Sequence, residues 1–192
     1  LWGDAEPPLS EIAMRCGGCG AKVGADILSN VIANLETIKR PDVIIGLDDP
    51  DDAAAIRFDA DTTLVQSVDQ FRAIIDDPYV QGQIAALHAL SDLHAMHARP
   101  HSAQALVTLP FARDAITARD LTQLMAGALA VLNNEHCQLT GGHTSEGLET
   151  SIGFAVNGIA TTNLLTKAGL NVGDHLILTQ PLGTGALFAA RS

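Results

Sequence analysis

Aromatic residues are scarce, with one Trp, one Tyr and five Phe in 192 residues. A core without many large rings is built from small aliphatic side chains, and the plentiful alanine points to closely packed helices. Basic residues are also few, 11 against 22 acids, for a formal net charge of −11. General nucleic-acid binding needs Lys and Arg to neutralise phosphates, so no nucleic-acid partner is expected. Nucleotide binding stays open, because carboxylates hold divalent cations and the cations hold phosphate. No apolar run approaches the roughly 20 residues of a membrane-spanning helix, so no membrane span is expected. The front of the chain has no basic-then-apolar leader, and a cytoplasmic protein is expected. Cysteines are three, Cys16, Cys19 and Cys137, an odd count with two crowded together. That pattern suits reduced thiols better than a disulfide framework. What remains is a hydrophobic content of 47%, ordinary for a globular protein and too high for disorder along the whole length.

Residues 1–14, with Pro7, Pro8 and several acids, read as a linker. Apolar residues at helical spacing predict a helix from Ala25 to Ile38, ended by Pro41. VIIGL (43–47) reads as a short buried strand, AAAIRF (53–58) as another, and TTLVQSVDQF (62–71) as a β-branched third. Asp77-Pro78 is a helix start with Asp as N-cap and Pro at the first helical position, and the helix runs to about His97. SAQALVTLP (102–110) alternates as a strand. Thr117 and Asp120 open a helix whose stripe is Leu121, Leu124, Met125, Ala128, Leu129 and Leu132. Strands are expected at Thr150–Ala160 and His175–Gln180, and PLGTG (181–185) reads as a glycine-rich turn into a helix. The mixed order favours an α+β fold in layers. The expected organisation is a domain over residues 15–163, then residues 164–192 as the beginning of a C-terminal domain.

Four segments carry candidate chemistry. In CGGCGAK, Cys16 to Lys22, glycines leave a thiol uncovered, and Lys22 stands close enough in sequence to Cys19 to stabilise a thiolate. Half of a zinc knuckle is the other reading of the same residues. In LDDPDDAAAIRF, the acids Asp48, Asp49, Asp51 and Asp52 repel one another unless water or a cation screens them. A solvated acidic turn and a hard-cation cradle shared with Asp69 both fit. In HALSDLHAMHARPH, His88 and Asp92 share a helix face, and Asp92 on a mostly apolar helix is the stronger candidate. His94, His97 and His101 suit surface or packing roles. In LTGGHTSEGLETSIG, Gly141 and Gly142 either make a structural turn or expose N–H groups to phosphate.

In this order the segments resemble the selenophosphate synthetase family, of the superfamily of aminoimidazole ribonucleotide synthetase, the hydrogenase maturation dehydratase and thiamine-monophosphate kinase. The resemblance rests on Cys19-Gly20-Ala21-Lys22, DDAA (51–54), Asp69 in SVDQF, DDPY (76–79), ALSD (89–92) with Ala95-Met96, GGHT (141–144) and PLGTG (181–185). It covers roughly residues 15–190. Many family members have asparagine where His88 stands and a glycine pair where His97-Ala98 stands.

The resemblance implies a mixed sheet with helices on one face, dimerising through the sheet to a homodimer. It implies ATP and selenide as substrates, with Mg²⁺ held by Asp51, Asp52, Asp69 and Asp92. Cys19 and Lys22 would be catalytic, and Lys22, Asp69, Gly141, Gly142, His143 and Thr144 would contact nucleotide. The products would be selenophosphate, AMP and orthophosphate, the glycine-rich segment 15–24 would be mobile without nucleotide, and the 192 residues alone would be inactive or nearly so. A linker before CGGCGAK resembles versions fused behind a flavin-dependent reductase domain. Two other functions stay open: a small-molecule kinase of the same superfamily, and a non-catalytic zinc-binding dimerisation module.

Overall fold

The computed structural model describes residues 22–161 and 163–191. Helix α1 spans Ala25–Ala33, followed by the short strands β1 (Val43–Ile45) and β2 (Ala54–Arg57) and the long strand β3 (Thr63–Arg72). Then come α2 (Pro78–Ala95), β4 (Arg99–Pro110), α3 (Asp114–Asn134), β5 (Gln138–Gly147), β6 (Ser151–Ala160) and α4 (Thr184–Arg191). The six strands form one sheet in the order β1-β2-β3-β6-β4-β5. Every neighbouring pair is antiparallel except β4 and β5, which α3 connects in parallel. This is the expected mixed sheet with helices.

Alternation along the strands, broken by a bulge near the start of β4, separates its two faces. Val65, Ala103, Ala105, Val107, Leu109, Ile152, Phe154 and Val156 are buried under α2 and α3, which pack on each other and on this one face. The alternate positions carry a polar ladder. Gln66 donates to Asn157 (2.7 Å), Asn157 donates to Ser102 (3.4 Å), and Gln70 donates to Ser151 (3.1 Å).

The two helices approach closely because glycines stand at their crossing. A Cβ on Gly82 would lie 2.0 Å from the Leu124 carbonyl oxygen, and one on Gly127 would lie 1.8 Å from that of Tyr79. Asp77 caps α2 as expected, its carboxylate accepting the N–H groups of Tyr79 and Val80. Both helices end in a left-handed residue that is not glycine, His97 (φ 57°) after α2 and His136 (φ 54°) after α3. The N–H groups of Ala98 and Cys137 then reach back to the carbonyls of Leu93 and Leu132, closing the last turn.

Several expectations shift. Helix α1 ends at Ala33 rather than Ile38 and buries none of its residues, Ile27, Leu28 and Val31 being exposed. Strand β1 is the sheet edge and lies largely exposed, not buried. Helix α3 begins at Asp114, ahead of the Thr117 start, because hydrogen bonding to the Arg113 carbonyl begins the helix there. Residues 175–180 form no strand, since nothing in the described chain pairs with them. Gly141 and Gly142 lie inside β5 rather than in a turn after it. A Cβ on Gly142 would meet the Ala105 carbonyl oxygen at 2.1 Å, so close strand pairing accounts for that glycine.

Candidate functional site

The acids separated in sequence meet beneath and beside α2. Asp69 is not at a strand end: it lies within β3, three residues before Arg72, and is 5% exposed. Its phase along the strand is that of Ser67, two residues earlier, so both point to the helix side of the sheet. Asp92 comes down from α2 and accepts the Ser67 hydroxyl at 2.5 Å. His88, one turn earlier on α2, places Nε2 3.5 Å from Asp69 and sets its ring edge-on to Phe71 with centroids 5.4 Å apart. The register of β2 against β3 sets Ala54 beside Gln66, so Asp52 and Asp51 run on past Ser67 towards Asp69.

Two lysines meet this acid group. Lys22 Nζ lies 2.6 Å from Asp69 Oδ1. Lys167, beyond the end of β6, donates its backbone N–H to Asp51 (2.9 Å) and sets its ammonium 2.9 Å from Asp52 Oδ1. The Asp52 N–H donates to the other Asp51 oxygen at 2.8 Å.

The electrostatics follow from these contacts. Burial pushes the Asp92 carboxyl above the ordinary aspartate range; the Ser67 hydrogen bond opposes it, the charge of Asp69 adds to it, and Lys22 and Asp52 make smaller, opposed contributions. Asp51 is held below that range, first by the Lys167 N–H and then by that of Asp52. The Lys167 ammonium is raised by its bond to Asp52. Ionising Asp92 in the folded protein therefore costs stability. Its contribution is fully present below about pH 4, where the unfolded carboxyl titrates, and is lost as pH rises through the elevated folded value. Asp92→Asn should accordingly melt above the parent at neutral pH, with the advantage vanishing on acidification. Thermal melts of both proteins across that range check this, and a parent equally or more stable than the variant at neutral pH would refute it.

Not every expected residue joins the group. Gly141, Gly142, His143 and Thr144 lie on β5, the edge strand, with β4 and β6 between it and β3, about 14 Å away at ordinary strand spacing. Asp48 pairs instead with Lys39. His94 faces Glu135 at 3.5 Å and lines a cavity with His97 and His136 where α2 and α3 end, apart from the acids. Among the described residues, no three His, Cys, Asp or Glu side chains stand at metal-ligand spacing. Cys137 is buried in the core and burial pushes its thiol up, which suits packing rather than a zinc site. Cys16 and Cys19 lie outside the described residues, as does most of segment 15–24. No helix among the described residues is long and apolar enough to cross a membrane.

Sequence reasoning missed Ser67 and Lys167. Ser67 was readable as the residue in phase with Asp69 on a strand. Lys167 had no signal, since it stands far from Asp51 and Asp52 along the chain.

Known proteins resemble this chain in sequence and in fold. A selenide, water dikinase of Myxococcus xanthus (strain DK1622) is 38% identical over 178 residues, covering 92% of this chain and 49% of the relative. That of Pelobacter propionicus (strain DSM 2379 / NBRC 103807 / OttBd1) is 40% identical over 178 residues, 92% of this chain and 51% of the relative. The chain thus spans about half the length of the curated relatives it matches. Among solved structures, AaThiL complexed with AMPPCP and TMP superposes with a TM-score of 0.62 at 18% identity, over 78% of this chain and 44% of that one, a likeness of fold. The segment holding Asp51, Asp52, Asp69 and Asp92, together with the sheet and helices that gather them, is residues 50–161, which match a single family throughout, and the chain belongs to the AIR synthase related protein, N-terminal domain, family.

Proposed function

We propose that this chain is the nucleotide- and metal-binding portion of a selenide, water dikinase, which converts selenide, ATP and water to selenophosphate, AMP and orthophosphate. The observation that carries the reading is the convergence of Asp51, Asp52, Asp69 and Asp92 with Lys22 on one side of the sheet. The names of the curated relatives support the choice of selenide as acceptor, and the AMPPCP bound to a protein of the same fold supports a nucleoside triphosphate. In this reading residues 164–192 open a second domain, and a homodimer forms through the polar-laddered face of the sheet.

The donor set fits Mg²⁺. All the gathered anions are carboxylates, hard oxygen donors, and lysine ammonium groups already sit against two of them, Asp69 and Asp52. Mg²⁺ takes one or two carboxylates together with substrate phosphates, so a three-residue protein cage is not required. Asp51, Asp52, Asp69 and Asp92 would supply these carboxylates, one or two to each ion, and the metal would neutralise charge on the triphosphate. Asp51 is oriented for this by two backbone N–H groups, and Ser67 fixes the rotamer of Asp92.

Lys22, anchored on buried Asp69, would present positive charge to the transferred phosphoryl group. In phosphoryl transfer such positioning and charge neutralisation supply most of the rate. Cys19, three residues before Lys22, would hold or deliver selenium beside it. The selenide selenium would form the new bond to phosphorus as the bond to the nucleotide's bridging oxygen breaks, and water would release the second phosphate.

Gly141, Gly142, His143 and Thr144 lie about 14 Å from the acids, too far to contact the same phosphate groups within one chain. In this proposal they serve it across the dimer, from the second subunit.

The test is full-length protein with ATP, Mg²⁺ and selenide followed by phosphorus NMR. A selenophosphate resonance, with AMP and orthophosphate, is expected from the parent and absent from Cys19→Ser. A small-molecule kinase in which the thiol is incidental would keep its activity in that variant and make no selenophosphate. The 192 residues alone should show no selenide-dependent AMP.

A further inference from the structure

Lys167 makes contacts that neither the sheet nor its helices require. After β6 ends at Ala160, the chain turns back across the C-terminal end of α2. Leu164 packs against the core, and the Leu165 N–H donates to the Met96 carbonyl at 3.3 Å. Met96 itself is fully buried, and its sulfur lies 3.1 Å from the Ala53 amide nitrogen. One residue thus pins both the acid loop and the returning strap. The strap delivers Lys167, whose two nitrogens take two consecutive carboxylates: the amide takes Asp51 and the ammonium takes Asp52.

The two bonds differ in kind. The amide cannot leave without moving the strap, and with the Asp52 N–H it fixes both oxygens of Asp51. The ammonium ends a flexible four-carbon stem, and the Lys167 side chain is 61% exposed. It can withdraw into water at little cost. A divalent cation arriving at Asp52 meets a positive charge already seated on that carboxylate and is repelled by it.

We propose that Lys167 is a positioning residue that acts as a displaceable counter-ion: its amide holds Asp51 in place while its ammonium neutralises Asp52 until a divalent cation replaces it. This rests on the metal half of the function proposed above. It adds that the chain carries its own competitor for the metal, from a residue remote in sequence. Asp52 then stays neutralised between turnovers, and metal occupancy there depends on displacing the Lys167 ammonium.

The probe is Mn²⁺ alone, with free ion counted by electron paramagnetic resonance at low salt. Lys167→Met keeps the amide and the stem but removes the charge, and should bind Mn²⁺ about fivefold more tightly, the scale of an exposed ion pair. Lys167→Arg should bind as the parent does. Adding Asp52→Asn to Lys167→Met should abolish the gain, since the competition is for that carboxylate. A lysine that only braces the loop predicts the reverse, weaker binding on its removal. Equal or weaker Mn²⁺ binding by Lys167→Met, or a gain that survives Asp52→Asn, overturns the proposal. If the gain appears while the phosphorus NMR assay yields no selenophosphate, the counter-ion stands and the selenide reading falls.

Discussion

Asp69→Asn is expected to lower selenide-dependent AMP formation by the full-length protein by roughly a hundredfold or more, the usual loss when one preorganised charge is removed from a site of developing charge. The size follows from position. Asp69 is the most buried of the gathered acids, and two cationic or polar partners, Lys22 and His88, are oriented on it. Asn keeps the shape and can still accept a hydrogen bond, so β3 and its pairing with β6 should survive. What it loses is the charge that holds Lys22 and would hold a metal. Lys22→Met should share much of the defect, and the double variant should be less than additive because the two residues act as a pair. Steady-state rates at saturating ATP, with melting curves to confirm folding, make the check. A folded Asp69→Asn enzyme retaining a third of the parent rate would remove Asp69 from the site.

The second large effect concerns folding. Gly127→Ala should destabilise the protein although alanine is the better helix former. The propensity gain is about 1 kcal/mol. Against it, the new Cβ falls 1.8 Å from the Tyr79 carbonyl oxygen and 2.7 Å from its carbon, both backbone atoms of the first turn of α2. Backbone cannot swing aside as a side chain can, so the helices must separate or slide, and overpacking of this kind costs about 3 kcal/mol or more. The net loss of about 2 kcal/mol corresponds to a midpoint lowered by roughly 4–8 °C in a chain of this size. Gly185→Ala in α4 is the matched control, because nothing lies within 4 Å of its added Cβ. It should not lower the midpoint. Equal behaviour of the two variants would show that the α2–α3 crossing is looser than its geometry indicates. The strain also bears on function, since α2 carries His88 and Asp92 and any sliding of α2 moves both.

The helical ends make a related point about local rules. Glycine is the usual residue after a helix in the left-handed region, and here histidine stands there twice, at His97 and His136. The returning hydrogen bonds from Ala98 and Cys137 supply the closure that holds those residues in place.

How much was legible in advance depended on the range of the interaction. The Asp77-Pro78 start of α2, the β-branched run of β3, the alternation of β4 and the stripe of α3 are local signals, written in neighbouring residues, and these elements formed close to where the pattern put them. The long ends of α1 and the strand expected at 175–180 failed because each needs a partner to bury its apolar side, and the described chain offers none. The acids were visible as residue types and the glycines as a motif. Their distances were not. Pairing of β3 with β6 on the side away from β2, rather than with β4, the next strand in sequence, decided that Asp69 lies under α2 and that Gly141 lies on the far edge. Only the folded chain could bring Lys167 to Asp51 and Asp52, because that contact depends on a strap crossing the end of a helix. Sequence by itself determined the secondary elements, the family pattern and the inventory of acids; tertiary structure decided which acids share a charge field and which cations neutralise them, because Coulomb energy depends on separation in space and not along the chain.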